Sequence, residues 1–143
     1  MVGRSQLLDR PAPDFSLSDL DGRPTRLADY RGRPVIVNFW ASWCVPCRTE
    51  FELFRDARTA HGGERLEILG VIYQDSPEAA RRFVAQRHAA WPALVDPGGA
   101  VAAAYGVLGI PISFYLDRDG IVRAVSYGPP PSNVLDEQLD KIL

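Results

Sequence analysis

Val35-Ile36-Val37-Asn38-Phe39-Trp40-Ala41-Ser42-Trp43-Cys44-Val45-Pro46-Cys47-Arg48-Thr49-Glu50 decides the fold. Its first six residues form a nearly continuous apolar run, rich in β-branched and aromatic side chains. Such a run suits a strand buried on both faces, as in the centre of a parallel sheet. Beyond the cysteines, Phe51, Phe54, Ala57 and Arg58 recur at helical spacing, and Gly62-Gly63 closes that segment. A buried strand therefore hands over to a helix at Cys44.

The chain holds two cysteines, both inside one four-residue turn. A bridge between such near neighbours constrains the unfolded chain very little, so the pair fits redox chemistry or metal binding better than stabilisation. Side chains three apart on a helix lie about 5–6 Å apart at Cβ, within reach of a disulfide after small adjustment. Cys44 is placed at the helix N-terminus, where free N–H groups and the helix dipole favour a thiolate. It is expected to attack, and Cys47, one turn inside, to resolve. Pro46 falls in the first turn, where a missing N–H costs little. In the resulting cycle, Cys44 takes a substrate disulfide into a mixed disulfide and Cys47 releases the reduced substrate; the reverse direction is equally allowed, and the potential of the pair against its compartment decides.

Elsewhere the pattern reads as an α/β layer with a mixed sheet. Residues 11–17 and Thr25-Arg26-Leu27 suggest an N-terminal hairpin about the Asp21-Gly22 turn. Residues 66–73 form a second strand. Ser76-Pro77 opens a helix running to about His88, and residues 91–95 and 100–105 form a short strand and a short helix. Residues 112–116 and 121–125 form a hairpin about Asp117-Arg118-Asp119-Gly120, and residues 132–143 a closing helix. Arg118 and Asp119 read as plain turn residues, and Arg81, Arg82 and Arg87 as a solvated helix face.

With 143 residues, 46% hydrophobic and 24% charged, the chain is long enough to bury a core, and its net charge of -2 gives no reason to expect nucleic acid or anionic lipid as a partner. No apolar run reaches membrane-span length, and Met1-Val2-Gly3-Arg4-Ser5-Gln6 shows no apolar leader. On this reading the chain is a cytoplasmic protein, or a trimmed or mature domain that has lost an export segment.

The redox stretch resembles the Trp-Cys-x-x-Cys centre of the thioredoxin superfamily, and more narrowly the TlpA/ResA/DsbE-like branch of bacterial thiol–disulfide oxidoreductases. The matching pieces are Pro13-Asp14-Phe15, Asp21-Gly22, Asn38 to Glu50, Tyr105-Gly106-Val107, Gly109-Ile110-Pro111 and Leu116 to Gly120, over roughly residues 11–142. The resemblance implies a thioredoxin-like fold: a central mixed sheet flanked by helices, with an N-terminal β-hairpin extension. It implies one domain over residues 1–143, residues 1–10 being a flexible extension, and a protein acting as a monomer. It also implies a disulfide exchange activity on protein thiols and disulfides, in the reducing direction, without a cofactor or metal.

Site roles follow by resemblance too. Pro111 matches the family's cis-proline facing the redox pair, and the Ile110 backbone would offer strand-like hydrogen bonds to an extended substrate. Trp43 is a candidate substrate contact, and Trp40 a core residue. Glu50 matches an acid that passes a proton to or from Cys47, and spacing puts both on one helix face. Expected partners are an upstream donor, such as a membrane or soluble thiol reductase, and substrates such as those of cytochrome c maturation. Asn38 stands where cytoplasmic thioredoxins have a buried Asp, which favours the extracytoplasmic branch. Glu52 stands where the branch often has a proline, which implies a straighter helix, and Ile112-Ser113 is not the commonest pair after the proline.

Two other classes compete. A peroxiredoxin-like peroxidase needs Pro-x-x-x-Thr/Ser-x-x-Cys, and the Thr/Ser place before Cys47 is Cys44 itself. A non-enzymatic metal-handling module would draw on His61 and His88, whose wide separation is unlike compact zinc spacing.

Overall fold

The computed structural model describes residues 5–143. Met1 to Arg4, the first part of the expected extension and of the stretch read as showing no apolar leader, lie outside the described residues. Strand β1 (Ser16–Ser18) pairs antiparallel with β2 (Pro24–Arg26). Their turn is held by Asp19, whose carboxylate accepts the N–H groups of Asp21 and Arg23 at 2.8 and 2.9 Å. This hairpin is shorter than its alternation suggests, because prolines at 11 and 13 lack the donors a ladder needs.

Five further strands form the main sheet: β3 (Val35–Trp40), β4 (Glu67–Ile72), β5 (Ala93–Leu94), β6 (Ile112–Leu116) and β7 (Val122–Tyr127). Their order is β5-β4-β3-β6-β7, with β3, β4 and β5 parallel, β6 antiparallel to β3, and β7 antiparallel to β6. Every residue of β3 is buried, as its apolar run predicts. Alternate side chains serve two layers. Ile36 and Trp40 pack with Phe51 and Phe54 of α1 (Val45–Ala60) and with Leu135 and Leu139 of α4 (Ser132–Asp140). Val35, Val37 and Phe39 pack with Phe15, Tyr105 and Phe114 beside α3 (Ala100–Ala104). The chain thus folds as a thioredoxin-like mixed sheet flanked by helices, with the separate small hairpin at its N-terminal side.

Three details differ from the sequence reading. Helix α2 (Pro77–Gln86) stops short of His88, which takes a left-handed φ of 50°. The closing helix ends at Asp140, and a tighter turn brings Ile142 into the core all the same. Arg118 does more than fill a turn: its guanidinium donates to the carbonyls of Gly32 and Glu64 at 3.0 and 3.2 Å, joining three loops.

Residues 5–10 lie beside β7, where the Asp9 N–H donates to the Val122 carbonyl at 2.7 Å and Val122 returns a bond to Arg10 at 2.9 Å. One glycine has a steric task. A Cβ on Gly70 would stand 2.7 Å from Nε1 of the buried Trp40, so β4 gives up a side chain to seat that indole.

Candidate active site

Helix α1 begins at Val45, with Cys44 as its N-cap in extended conformation (φ -86°, ψ 108°). Pro46 occupies the second helical position, where its missing N–H costs no intrahelical bond, and Cys44 stands at the end of the helix whose first-turn N–H groups lack intrahelical partners. No acidic residue lies in this first turn to oppose a thiolate. Cys44 and Cys47 are joined in a disulfide, their Cα atoms 5.4 Å apart.

The helix start is exposed, but the sulfurs are not. Val45 and Trp43 are 68% and 56% exposed, whereas Cys44 and Cys47 are 4% and 2%. The sequence reading had set Cys44 at an open helix start. In the structure its neighbours carry that exposure, and the disulfide sits under them.

Two tethers fix the loop ahead of the helix. The Ser42 N–H donates to Asp75 Oδ2 at 2.8 Å, and the Trp43 indole N–H donates to the Gln74 carbonyl at 2.9 Å. Asp75 Oδ1 also accepts the Ser76 N–H at 2.9 Å, and Ser76 caps α2 through the Ala79 N–H at 3.1 Å. The loop after β4 is thereby locked between the redox turn and α2. Trp43 keeps its ring outside while its N–H is held, an arrangement suited to touching a partner.

The Ile110–Pro111 peptide bond is cis. Pro111 is buried, and its carbonyl accepts the Gly128 N–H at 2.9 Å. Pro46, Leu108, Ile110, Pro111 and Tyr127 border one open groove of about 1040 Å³, which also runs along Ser5 to Leu7. Among the described residues, no charged side chain lines it. Leu108 is 96% exposed, an apolar side chain standing free at the groove rim.

Glu50 lies one turn below Cys47 and is 1% exposed. It falls in the same stripe as Cys47, Phe51, Phe54 and Ala57, all buried. The helix presents it inward although Glu52 replaces the proline common in the branch. Burial pushes the carboxyl up to about 8, against a smaller opposing effect from Asn38, whose amide donates to Oε1 at 2.6 Å. Oε2 is buried with no hydrogen-bond partner among the described residues. Such a carboxyl is neutral over much of the working range and suited to exchanging a proton near neutral pH.

The structure thus draws Cys44, Cys47, Trp43, Ile110, Pro111 and Glu50 to one end of the sheet. Gln74, Asp75, Leu108 and Tyr127 join them without having been singled out by sequence. His61 stands elsewhere, its Nδ1 2.8 Å from Glu64 Oε2. Among the described residues, no group of three or more His, Cys, Asp or Glu side chains could hold a metal ion.

Known proteins converge on this architecture. The AhpC/TSA family matches residues 8–125. The thiol–disulfide oxidoreductase ResA of Bacillus thuringiensis is 33% identical over 135 residues, 94% of this chain and 78% of the relative. The thioredoxin-like protein YneN of Bacillus subtilis is 31% identical over 132 residues, 90% of this chain and 76% of the relative. A structure from Chlorobium tepidum, described as a thiol:disulfide interchange protein DsbE, superposes with a TM-score of 0.83 at 31% identity, covering 97% of this chain and 96% of that one.

Proposed function

The chain belongs to the AhpC/TSA family, on the TlpA/ResA/DsbE-like branch of the thioredoxin superfamily, and from that premise we propose how its residues divide the work of a thiol–disulfide oxidoreductase. Cys44 is the nucleophile. Its thiolate attacks a disulfide of a bound protein; one substrate sulfur leaves as a thiolate and the other stays joined to Cys44. Cys47 then attacks Cys44, the mixed disulfide breaks, and the substrate departs as a dithiol carrying the two electrons that the enzyme pair gives up. Glu50 exchanges the proton that Cys47 must lose and regain. The Ile110–Pro111 backbone and the Trp43 ring receive the substrate segment, and the uncharged groove beyond them favours an uncharged stretch of chain, because a charge there is desolvated without a partner.

The observation that carries this reading is the Cys44–Cys47 disulfide at the N-terminus of α1, next to the groove bordered by Pro46 and cis-Pro111. We assign the reducing direction, an extracytoplasmic setting, a monomeric state and a dithiol donor, membrane-bound or soluble, on the resemblance to this branch. Substrates of the cytochrome c maturation type fit the same assignment. Trapping with Cys47→Ser tests the reading: the variant stalls as a mixed disulfide through Cys44. Capture of the same partners by Cys44→Ser would reverse the two roles. A strongly oxidising potential for the pair would reverse the direction, and efficient turnover of hydrogen peroxide would favour a peroxidase.

A further inference from the structure

Asn38 of β3, Glu50 of α1 and Ser113 of β6 form a polar row inside an apolar layer. They are 3%, 1% and 0% exposed. The Asn38 amide nitrogen carries two hydrogens, and both are used: one goes to Glu50 Oε1 at 2.6 Å, the other to Ser113 Oγ at 2.9 Å. The two strands pair so that Asn38 and Ser113 lie opposite each other, and the contact is built into the register of the sheet. Oε1 receives a donor, and in a neutral carboxyl the carbonyl oxygen is the better acceptor, which favours Oε2 as the oxygen that bears the hydrogen. Oε2, equally buried, has no partner among the described residues.

We propose that Asn38 and Ser113 are positioning residues for Glu50: Ser113 holds the Asn38 amide in one orientation, Asn38 commits Oε1 to accepting, and the carboxyl therefore carries its proton on Oε2. This rests on the reading of Glu50 as the proton carrier for Cys47. In the resolving step Glu50 enters as the carboxylate: the Cys47 S–H bond breaks and an Oε2–H bond forms, the electron pair staying on sulfur. That sulfur then displaces the substrate thiolate from Cys44.

The other titratable groups facing Glu50 are few. Cys47 lies one turn before it on α1. Tyr115 on β6 feels the carboxylate, and its hydroxyl lies 3.1 Å from Ser126 Oγ, turned to that neighbour. Burial remains the larger influence on Glu50 and the Asn38 donor the opposing one.

The test follows the Glu50 side-chain carbon by 13C NMR in the full chain, in Asn38→Ala and in Ser113→Ala, beside the pH profile of substrate release. Removing Asn38 takes away a donor that favours the carboxylate, so the titration moves up by about one pH unit, a tenfold change in ionisation constant. Ser113→Ala frees the amide to turn and moves the titration in the same direction by less. The release profile moves with each. A titration that stays put while the variants melt at lower temperature would show a structural role only and overturn the proposal. So would a downward shift, which means that Oε1 bears the proton and Asn38 accepts it. Ser113→Ala decides the matter alone if Asn38→Ala does not fold. Failure of the unmodified protein to cycle between dithiol and disulfide, followed by thiol alkylation, would instead remove the proposed function.

Discussion

The Asp75 carboxylate accepts the backbone N–H of Ser42 at 2.8 Å, across 33 residues of sequence. It ties the turn that presents Cys44 to the loop that starts α2. Asp75→Ala leaves the Ser42 and Ser76 donors without this acceptor. We expect a stability loss of about 1–2 kcal/mol in urea unfolding, together with slower disulfide exchange. Asp75→Asn retains a side-chain oxygen acceptor and recovers part of both.

Glu50 gives the protein a stability that depends on pH. Its carboxyl titrates at about 8 when folded, against an ordinary 4.5. The folded state therefore holds a proton that the unfolded chain releases. The stabilisation is fully present below pH 4.5, declines as pH rises through 8 and levels off above it. Glu50→Gln lacks this decline, and above pH 8 it should be the more stable form by a margin on the order of 4 kcal/mol. Thermal melts across pH 5 to 9 compare the two; parallel curves would refute the effect.

Gly70→Ala places a methyl group 2.7 Å from the Trp40 indole nitrogen. The ring is wedged among Phe51 and Phe83, with centroids 5.9 and 5.1 Å away, and has little room to move. A loss of about 1–3 kcal/mol is expected. Pairing the change with Trp40→Phe should restore part of it, and additive losses in the double variant would show that the clash is relieved elsewhere.

Leu108 offers the cleanest test of the groove, because its exposure separates binding from folding. Leu108→Asp should leave the melting temperature within about a degree. It should slow exchange with a protein disulfide several-fold while leaving exchange with a small aliphatic disulfide unchanged. Equal slowing of both would mean that Leu108 acts on the cysteines and not on the partner.

The strand at 35–40, the helix after it and the thiol pair were legible because each announces itself locally, through apolar continuity, helical spacing and a single four-residue turn. The cis bond at Pro111 was legible by resemblance, and the placement of Glu50 on the helix face of Cys47 by resemblance and by spacing. The tether from Asp75 and the bond between Asn38 and Ser113 were not, since they join residues 33 and 75 apart. No local pattern encodes such partners; they emerge from strand register and loop path. Arg118 looked like a turn filler for the same reason, its two carbonyl partners lying 86 and 54 residues away. Helix ends were misplaced where one residue, His88, turned left-handed.

The N-terminal segment has an effect on how the protein behaves in company. Pro11 bridges to Ile121 on one flank of the main sheet, and on the other Asp19 bridges to Leu94 while Val95 donates to Ser18 at 2.9 Å. One short stretch of chain thus engages backbone groups along both lateral margins, where an open row of amides and carbonyls would recruit strands from other molecules. At those points the margins are covered, so fewer free backbone groups are left to pair with another chain beside the apolar surface near the sulfurs.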